Sequence, residues 1–142
     1  MVVFCTYCSA KKDKTPGLLP AIKRYQSARI RSVSQAAAVL DVHFSILSGE
    51  YGLVSREQEI PWYDHLLHQS EIDHLASVVA GQLQMLGANQ VVYFVSRRAV
   101  DDPAFAPYIA VPVKAAQHFG ISFCIVELPE AHEASHQTGL TL

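Results

Sequence analysis

The stretch Val42-His43-Phe44-Ser45-Ile46-Leu47-Ser48-Gly49-Glu50-Tyr51-Gly52-Leu53-Val54 decides the fold. Its first six residues form a largely apolar run, and a run of this length without clean alternation reads as a strand in a sheet covered on both faces. The run ends in Ser48-Gly49 and is followed by a second glycine, Gly52, with an acid and an aromatic between. Glycines at a strand end let backbone approach a ligand closely, so this turn is the first candidate for a functional site.

Working outward, Val2-Val3-Phe4-Cys5-Thr6-Tyr7 is rich in β-formers, and residues 9–20, with two prolines and a glycine, read as a basic loop. Over residues 21–40, Ile22, Tyr25, Ile30, Val33, Ala36, Ala37 and Leu40 recur at helical spacing, with Lys23, Arg24, Arg29 and Arg31 largely elsewhere on the cylinder. Residues 49–69 form a long connection of charged and aromatic residues, a length that often marks a functional or lid-like loop. Ser70 reads as an N-cap in the near capping box Ser70-Glu71-Ile72-Asp73. Leu75, Val78, Val79, Leu83 and Leu86 continue that helix until Gly87 stops it.

A third strand over residues 91–95 ends at Ser96-Arg97-Arg98. A helix begun or interrupted by Pro103, Pro107 and Pro112 runs on to Gly120, and residues 121–128 make a fourth strand. Alternating strands and helices predict right-handed parallel crossovers. The expected fold is a three-layer α/β sandwich, Rossmann-like, with a mostly parallel sheet of about four strands. It forms one domain over residues 1–142, with a mobile polar tail over residues 130–142; neither repeats nor a linker interrupt it.

Composition agrees with that frame. The 142 residues are 50% hydrophobic and 17% charged, which suits one globular domain with a real core and excludes a disordered or fibrous chain. No apolar run reaches the roughly 18 residues of a membrane span, and Met1-Val2-Val3-Phe4-Cys5 lacks the basic start of a signal peptide, so a cytoplasmic protein is expected. Three cysteines, Cys5, Cys8 and Cys124, do not suggest a disulfide framework and read as reduced thiols. The net charge is −2, yet residues 1–40 hold seven of the eleven Lys and Arg against one acid, Asp13. Such a local positive field favours an anionic ligand; a solvated helix face would give the same composition.

In such a fold ligands bind outside the carboxyl ends of the strands, where the strand order reverses. That rule selects residues 8–14, 48–52 and 96–98. Glu50 is the candidate general acid or base, or acceptor for a base edge, unless it is a solvated loop acid. Lys11 or Lys12 could anchor a phosphate or, if desolvated, act as an amine nucleophile, although turn lysines are commonly plain surface charges. Tyr63-Asp64-His65 and His68 could form a small acid–base cluster in which Tyr63 stacks on a base; Trp62 and Tyr63 could equally pin the loop. Arg97 or Arg98 could clamp a phosphate.

Two motifs invite metal. Cys5-x-x-Cys8 places only Cys8 in a loop and has no second pair, and His132-Glu133-Ala134-Ser135-His136 matches a zinc-protease motif within a polar tail. Neither supports a metal or cofactor, so none is expected.

Cys8-Ser9-Ala10-Lys11-Lys12, Tyr25, Arg29, the turn from Leu47 to Val54, and Pro61-Trp62-Tyr63-Asp64 resemble the YaaA-like proteins of the peroxide stress response, and small bacterial domains of unknown function related to them. Gly52-Leu53-Val54-Ser55-Arg56-Glu57-Gln58-Glu59 with Tyr63-Asp64 is also similar to the core domain of archaeosine synthase, with Ser55 where that pattern has proline. The resemblance spans roughly residues 2–100. It implies a shared α/β core and a site for a nucleotide, nucleobase or nucleic-acid ligand, with base exchange or N-glycosidic cleavage as the fitting chemistry. The alternative is a non-catalytic DNA-binding stress protein; a third is an oligomerisation domain. The expected site comprises Glu50 and Lys11 as catalytic groups, with Cys8, Ser9, Lys12, Arg29, Ser48, Gly49, Tyr51, Gly52, Tyr63, Asp64, Ser96 and Arg97 binding the ligand. The expected partner is a nucleotide or nucleobase-like molecule, with DNA or RNA as the larger form, and no membrane.

Overall fold

A central sheet carries β1 (Val2–Tyr7), β3 (His43–Ser48), β4 (Gly52–Ser55), β6 (Gln90–Ser96) and β7 (Ser122–Leu128) in the order β4-β3-β1-β6-β7. In this computed structural model, which describes residues 1–129, β1, β3, β6 and β7 are mutually parallel and β4 is antiparallel to β3. A small second sheet pairs β2 (Leu19–Pro20) with β5 (Glu59–Ile60). The helices are α1 (Ala21–Arg24), α2 (Ala28–Leu40), α3 (Ile72–Leu86), α4 (Arg97–Val100) and α5 (Ala106–His118). The chain is thus an α/β domain with a five-stranded, mostly parallel sheet flanked by helices, a Rossmann-like three-layer sandwich.

One core lies between the sheet and the α3–α5 pair, around Val3, Cys5, Val79, Leu83, Tyr93, Val95 and Val111. The other lies under α2, around Ile30, Val33, Phe44, Ile46 and Val54. At the far edge, β7 exposes Cys124, Ile125 and Val126, so its apolar run is not buried as a continuous run would suggest. Among the described residues no helix is long and apolar enough to cross a membrane.

Three local departures shape the site. The periodicity over residues 21–40 gives two helices, because residues 11–13 pair with residues 24–26 like strands: Asp13 N donates to Arg24 O (2.7 Å) and Gln26 N to Lys11 O (3.0 Å). Those bonds replace helical ones, and Ser27 then caps α2 by accepting from Ile30 N at 3.2 Å. Residues 49–69 are only partly irregular, since they contain β4 and β5. The 3₁₀ turn Gln69–Glu71 that leads into α3 is capped not from Ser70 but by His68 with Glu71, whose carboxylate accepts from His68 N at 2.8 Å, and α3 itself has no side-chain cap. The α3 stop is as expected: Gly87 is left-handed (φ 73°) and Ala88 N donates back to Leu83 O.

The glycines of the decisive stretch have a packing reason. Gly52 sits at φ 76°, closing a three-residue hairpin between β3 and β4. A Cβ there would stand 2.6 Å from Gln82 Oε1, and a Cβ on Gly49 would stand 3.1 Å from Tyr108 Oη. Both glycines therefore bring backbone against α3 and α5.

Candidate functional site

The chain runs from β1 outward to β3 and then crosses back past β1 to β6, so strand order reverses between β1 and β6. At that point the Tyr7 hydroxyl and Ser96 Oγ meet at 3.1 Å, and Ser96 Oγ also accepts from Ala99 N to cap α4. Directly outside lies a cavity of about 150 Å³ lined by residues 7–10, Lys12, residues 64–66, Phe105 and Tyr108.

Three aromatic rings form its apolar wall. Tyr7 meets Phe105 edge-on at 4.4 Å, and Phe105 stacks on Tyr108 at 5.8 Å. Tyr108 is fixed at both its ring end and its backbone: its hydroxyl accepts from Leu67 N (3.0 Å) and its carbonyl accepts from the Tyr93 hydroxyl (2.7 Å). Burial pushes the Tyr108 phenol up to about 12, so it stays a hydrogen-bond donor near neutral pH. The polar rim comes from Lys12, Asp64, His65 and Ser9, the last of which donates to Lys11 O at 2.7 Å and so sets the loop's turn.

Arg29 determines how β1 ends. Its guanidinium donates to Thr6 Oγ1 (2.7 Å), Tyr7 O (2.7 Å) and Cys8 O (3.4 Å) and lies 3.5 Å from the Tyr7 ring centroid. Arg29 thus orders the end of β1 and the ring of Tyr7, which lines the cavity, but is itself buried and does not line it.

The 48–52 turn sits beside the cavity. Ser48 is fully buried; its Oγ accepts from Glu50 N and Tyr51 N, both at 3.1 Å, and bonds the Tyr63 hydroxyl at 2.8 Å. The Tyr63 hydroxyl in turn meets that of Tyr25 at 2.5 Å. The ring of Tyr63 lies edge-on to Tyr25 and Tyr51, with Lys12 Nζ 4.5 Å from its centroid. Burial raises the phenols of both Tyr25 and Tyr63, so this chain of hydroxyls stays protonated.

Glu50 reaches the cavity through His65. Glu50 Oε1 lies 2.5 Å from His65 Nδ1, and Glu71 Oε2 lies 2.9 Å from Nε2. A ring held by a carboxylate at each nitrogen favours the imidazolium, and the His65 pKa is raised, first by Glu71 and then by Glu50. His65 thereby ties the irregular segment 61–68 to the hairpin tip on one side and to the start of α3 on the other.

The structure therefore brings Cys8, Ser9, Lys12 and Asp64 to one cavity. It places Ser48, Gly49, Glu50, Tyr51, Gly52 and Tyr63 in the framework next to it. Lys11 is exposed and does not line the cavity. Arg97 pairs with Glu127 on β7 at 3.2 Å, on the far side of Ser96. Tyr7, Leu66, Phe105 and Tyr108 are cavity residues that sequence reasoning missed. A signal was present: Phe105 and Tyr108 stand three apart around Pro107, on the crossover that leads from the third strand into the next long helix.

Cys5 is buried and its thiol is pushed up to about 12 by that burial, whereas Cys8 is half-exposed. Among the described residues no three His, Cys, Asp or Glu side chains gather as a metal set. His132, Glu133 and His136, and the tail over residues 130–142, lie outside the described residues. No protein-family model, curated protein or solved structure matches the chain.

Proposed function

We propose that this domain binds a planar, nucleobase-like ligand, as a base, nucleoside or nucleotide, at the carboxyl ends of β1 and β6. One observation carries the reading: a ring-sized cavity at the strand-order reversal, walled by Tyr7, Phe105 and Tyr108 and rimmed by Lys12, Asp64 and His65. An apolar cavity of about 150 Å³ is the size that accepts a single aromatic ring. Aromatic walls supply the faces such a ring needs, and the Asp64 carboxyl and Lys12 ammonium at the rim can read its polar edge. The sequence resemblance to the archaeosine synthase core and to YaaA-like proteins leans the same way. Under that resemblance the chemistry is base exchange or N-glycosidic cleavage. The glycosidic bond would then break with its electron pair passing to the base, which takes a proton from water, while water or the incoming base forms the new bond to C1′. His65, both of whose ring nitrogens are held by Glu50 and Glu71, supplies positive charge at the rim and not the proton. Glu50 holds the imidazolium in place as a positioning residue.

The test is thermal denaturation of the protein with bases, nucleosides and nucleoside monophosphates at low and high salt. A ligand that binds the native state alone adds about 2.7 kcal/mol of apparent stability at one hundred times its dissociation constant. A shift with one class of base that persists in salt, and weakens in Asp64→Asn, is expected. Absence of any shift across the series at millimolar ligand would overturn the reading.

A further inference from the structure

Next to the cavity lies a second concave surface, about 510 Å³, formed by residues 14–18 on one side and Pro61 and Trp62 on the other. Trp62 is 45% exposed and Leu18 58% exposed, an arrangement that leaves a large flat ring open to solvent. Lys14 Nζ stands 5.9 Å from the Trp62 ring centroid. The groove is preformed, because Arg24 reaches from α1 to bond the carbonyls of Asp13, Thr15 and Gly17 and so fixes the loop that makes one wall.

The two concavities are built from the same two segments. Lys12 and Asp64 line the cavity, whereas Lys14 and Trp62 line the groove, with a single residue between in each segment. Two residues of chain span at most about 7 Å, so the sites are adjacent. The charge between them is positive: Lys11, Lys12 and Lys14 face one nearby acid of the same loop, Asp13. The carboxylate of Asp13 is turned onto Thr15, accepting from its backbone N and its Oγ1.

We infer that the groove is a second base subsite and that the ligand is a single-stranded oligonucleotide, with one base in the cavity, its neighbour stacked on Trp62, and the linking phosphate over Lys12 and Lys14. The inference rests on the nucleobase reading of the cavity and adds to it the substrate's length. A flat exposed indole beside a lysine is the combination by which single strands are held without sequence preference, since every base has a face to stack. A proline-rich peptide would also find a Trp here, but it has no use for the lysine pair that joins groove to cavity.

Trp62 is the sole tryptophan of the chain, so its emission reports on the groove alone. The experiment titrates the protein with the four deoxynucleoside monophosphates and with the four homotetranucleotides. It follows Trp62 fluorescence and, with end-labelled tetranucleotides, anisotropy. Tetranucleotides are expected to quench Trp62 and to bind at least about ten-fold tighter than the matching monophosphate. Trp62→Ala should remove that advantage and Trp62→Phe should keep most of it, which separates loss of stacking from loss of fold. Lys14→Gln should lower the slope of log affinity against log salt by about one. If monophosphates stabilise the protein while tetranucleotides bind no tighter and leave Trp62 emission unchanged, the subsite is refuted and the cavity reading survives. If nothing binds, both fail. Quenching by a polyproline decapeptide but not by any oligonucleotide would overturn the inference in favour of peptide recognition.

Discussion

Replacing Arg24 with methionine should release the loop over residues 13–17 and destabilise the whole domain. Arg24 is 0% exposed, yet its guanidinium makes five contacts with carbonyl oxygens: Asp13 at 2.8 Å, Thr15 at 2.9 Å, Gly17 at 2.7 Å, and Ile60 at 3.1 and 3.3 Å. Methionine keeps the apolar stem and removes every donor. The three loop carbonyls can turn to water once the loop leaves, so each lost bond costs about 0.5 kcal/mol. Ile60 O cannot follow them without parting β2 from β5, and an unpaired buried carbonyl costs about 1–3 kcal/mol. The sum is about 3 kcal/mol, a large effect for one substitution. Arg24→Lys should fall between the two, because an ammonium has three donors on a point charge and cannot spread across four carbonyls. Urea unfolding followed by far-ultraviolet circular dichroism gives the global loss, and hydrogen exchange of residues 13–17 gives the local one. A loss below about 1 kcal/mol, with residues 13–17 as protected as in the parent, would refute the reasoning, because those carbonyls would then not depend on Arg24.

Two further outcomes follow from the geometry. His65 has a raised pKa, so its contribution is fully present below its unfolded value, about 6.5, and is lost as pH rises through the folded one; Glu71, lowered first by His65 and also by His68, contributes above its unfolded value, about 4.3, and loses that as pH falls. Melting temperature should thus plateau between these values and decline on the alkaline side, and an alkaline limb that is identical in His65→Gln would show that the Glu50–His65–Glu71 bridge is not its cause. Gly52→Ala puts a side chain at φ 76° and a Cβ 2.6 Å from Gln82 Oε1, which accepts from Leu53 N; left-handed strain of about 1–2 kcal/mol and the disturbed half-buried bond should lower stability by about 2–3 kcal/mol in chemical denaturation. A loss under about 1 kcal/mol would mean that Gln82 yields freely.

The parallel strands were legible because each is apolar along a stretch and bounded by loop residues, and the helices between them because their periodicity is local. What stayed hidden was whatever depends on pairing at a distance. β4 is four residues long and reads as part of a polar connection until Ser48 and Gly52 are seen as register partners. The break at Tyr25 is invisible to periodicity, since Tyr25 keeps its place in the apolar pattern while its backbone turns to pair with Lys12. Charge was the least readable signal. Of the basic cluster in residues 1–40, Arg24 and Arg29 are buried and bound to carbonyls, so the basic groups left to touch a ligand directly are the loop lysines with Lys23 and Arg31.

The site shows the same division. The reversal rule points to one end of the sheet, and the structure brings Cys8, Ser9, Lys12 and Asp64 to one cavity there. Within that region, however, the residues with the loudest sequence signal turned out to be the frame. Ser48, Gly49 and Gly52 look like ligand-facing backbone because small residues at a strand end permit close approach, but the close approach is to Tyr108, Leu67 and Gln82. A glycine records that something comes near, not what. The cavity wall is aromatic, and Tyr7, Phe105 and Tyr108 are indistinguishable in sequence from core residues, because a ring that faces a ligand and a ring that faces a leucine obey the same periodicity. Only the placement of Phe105 and Tyr108 on the crossover that leads from β6 into α5 separates them, so aromatic pairs at the start of a crossover helix deserve the weight that sequence reading gave to the glycines.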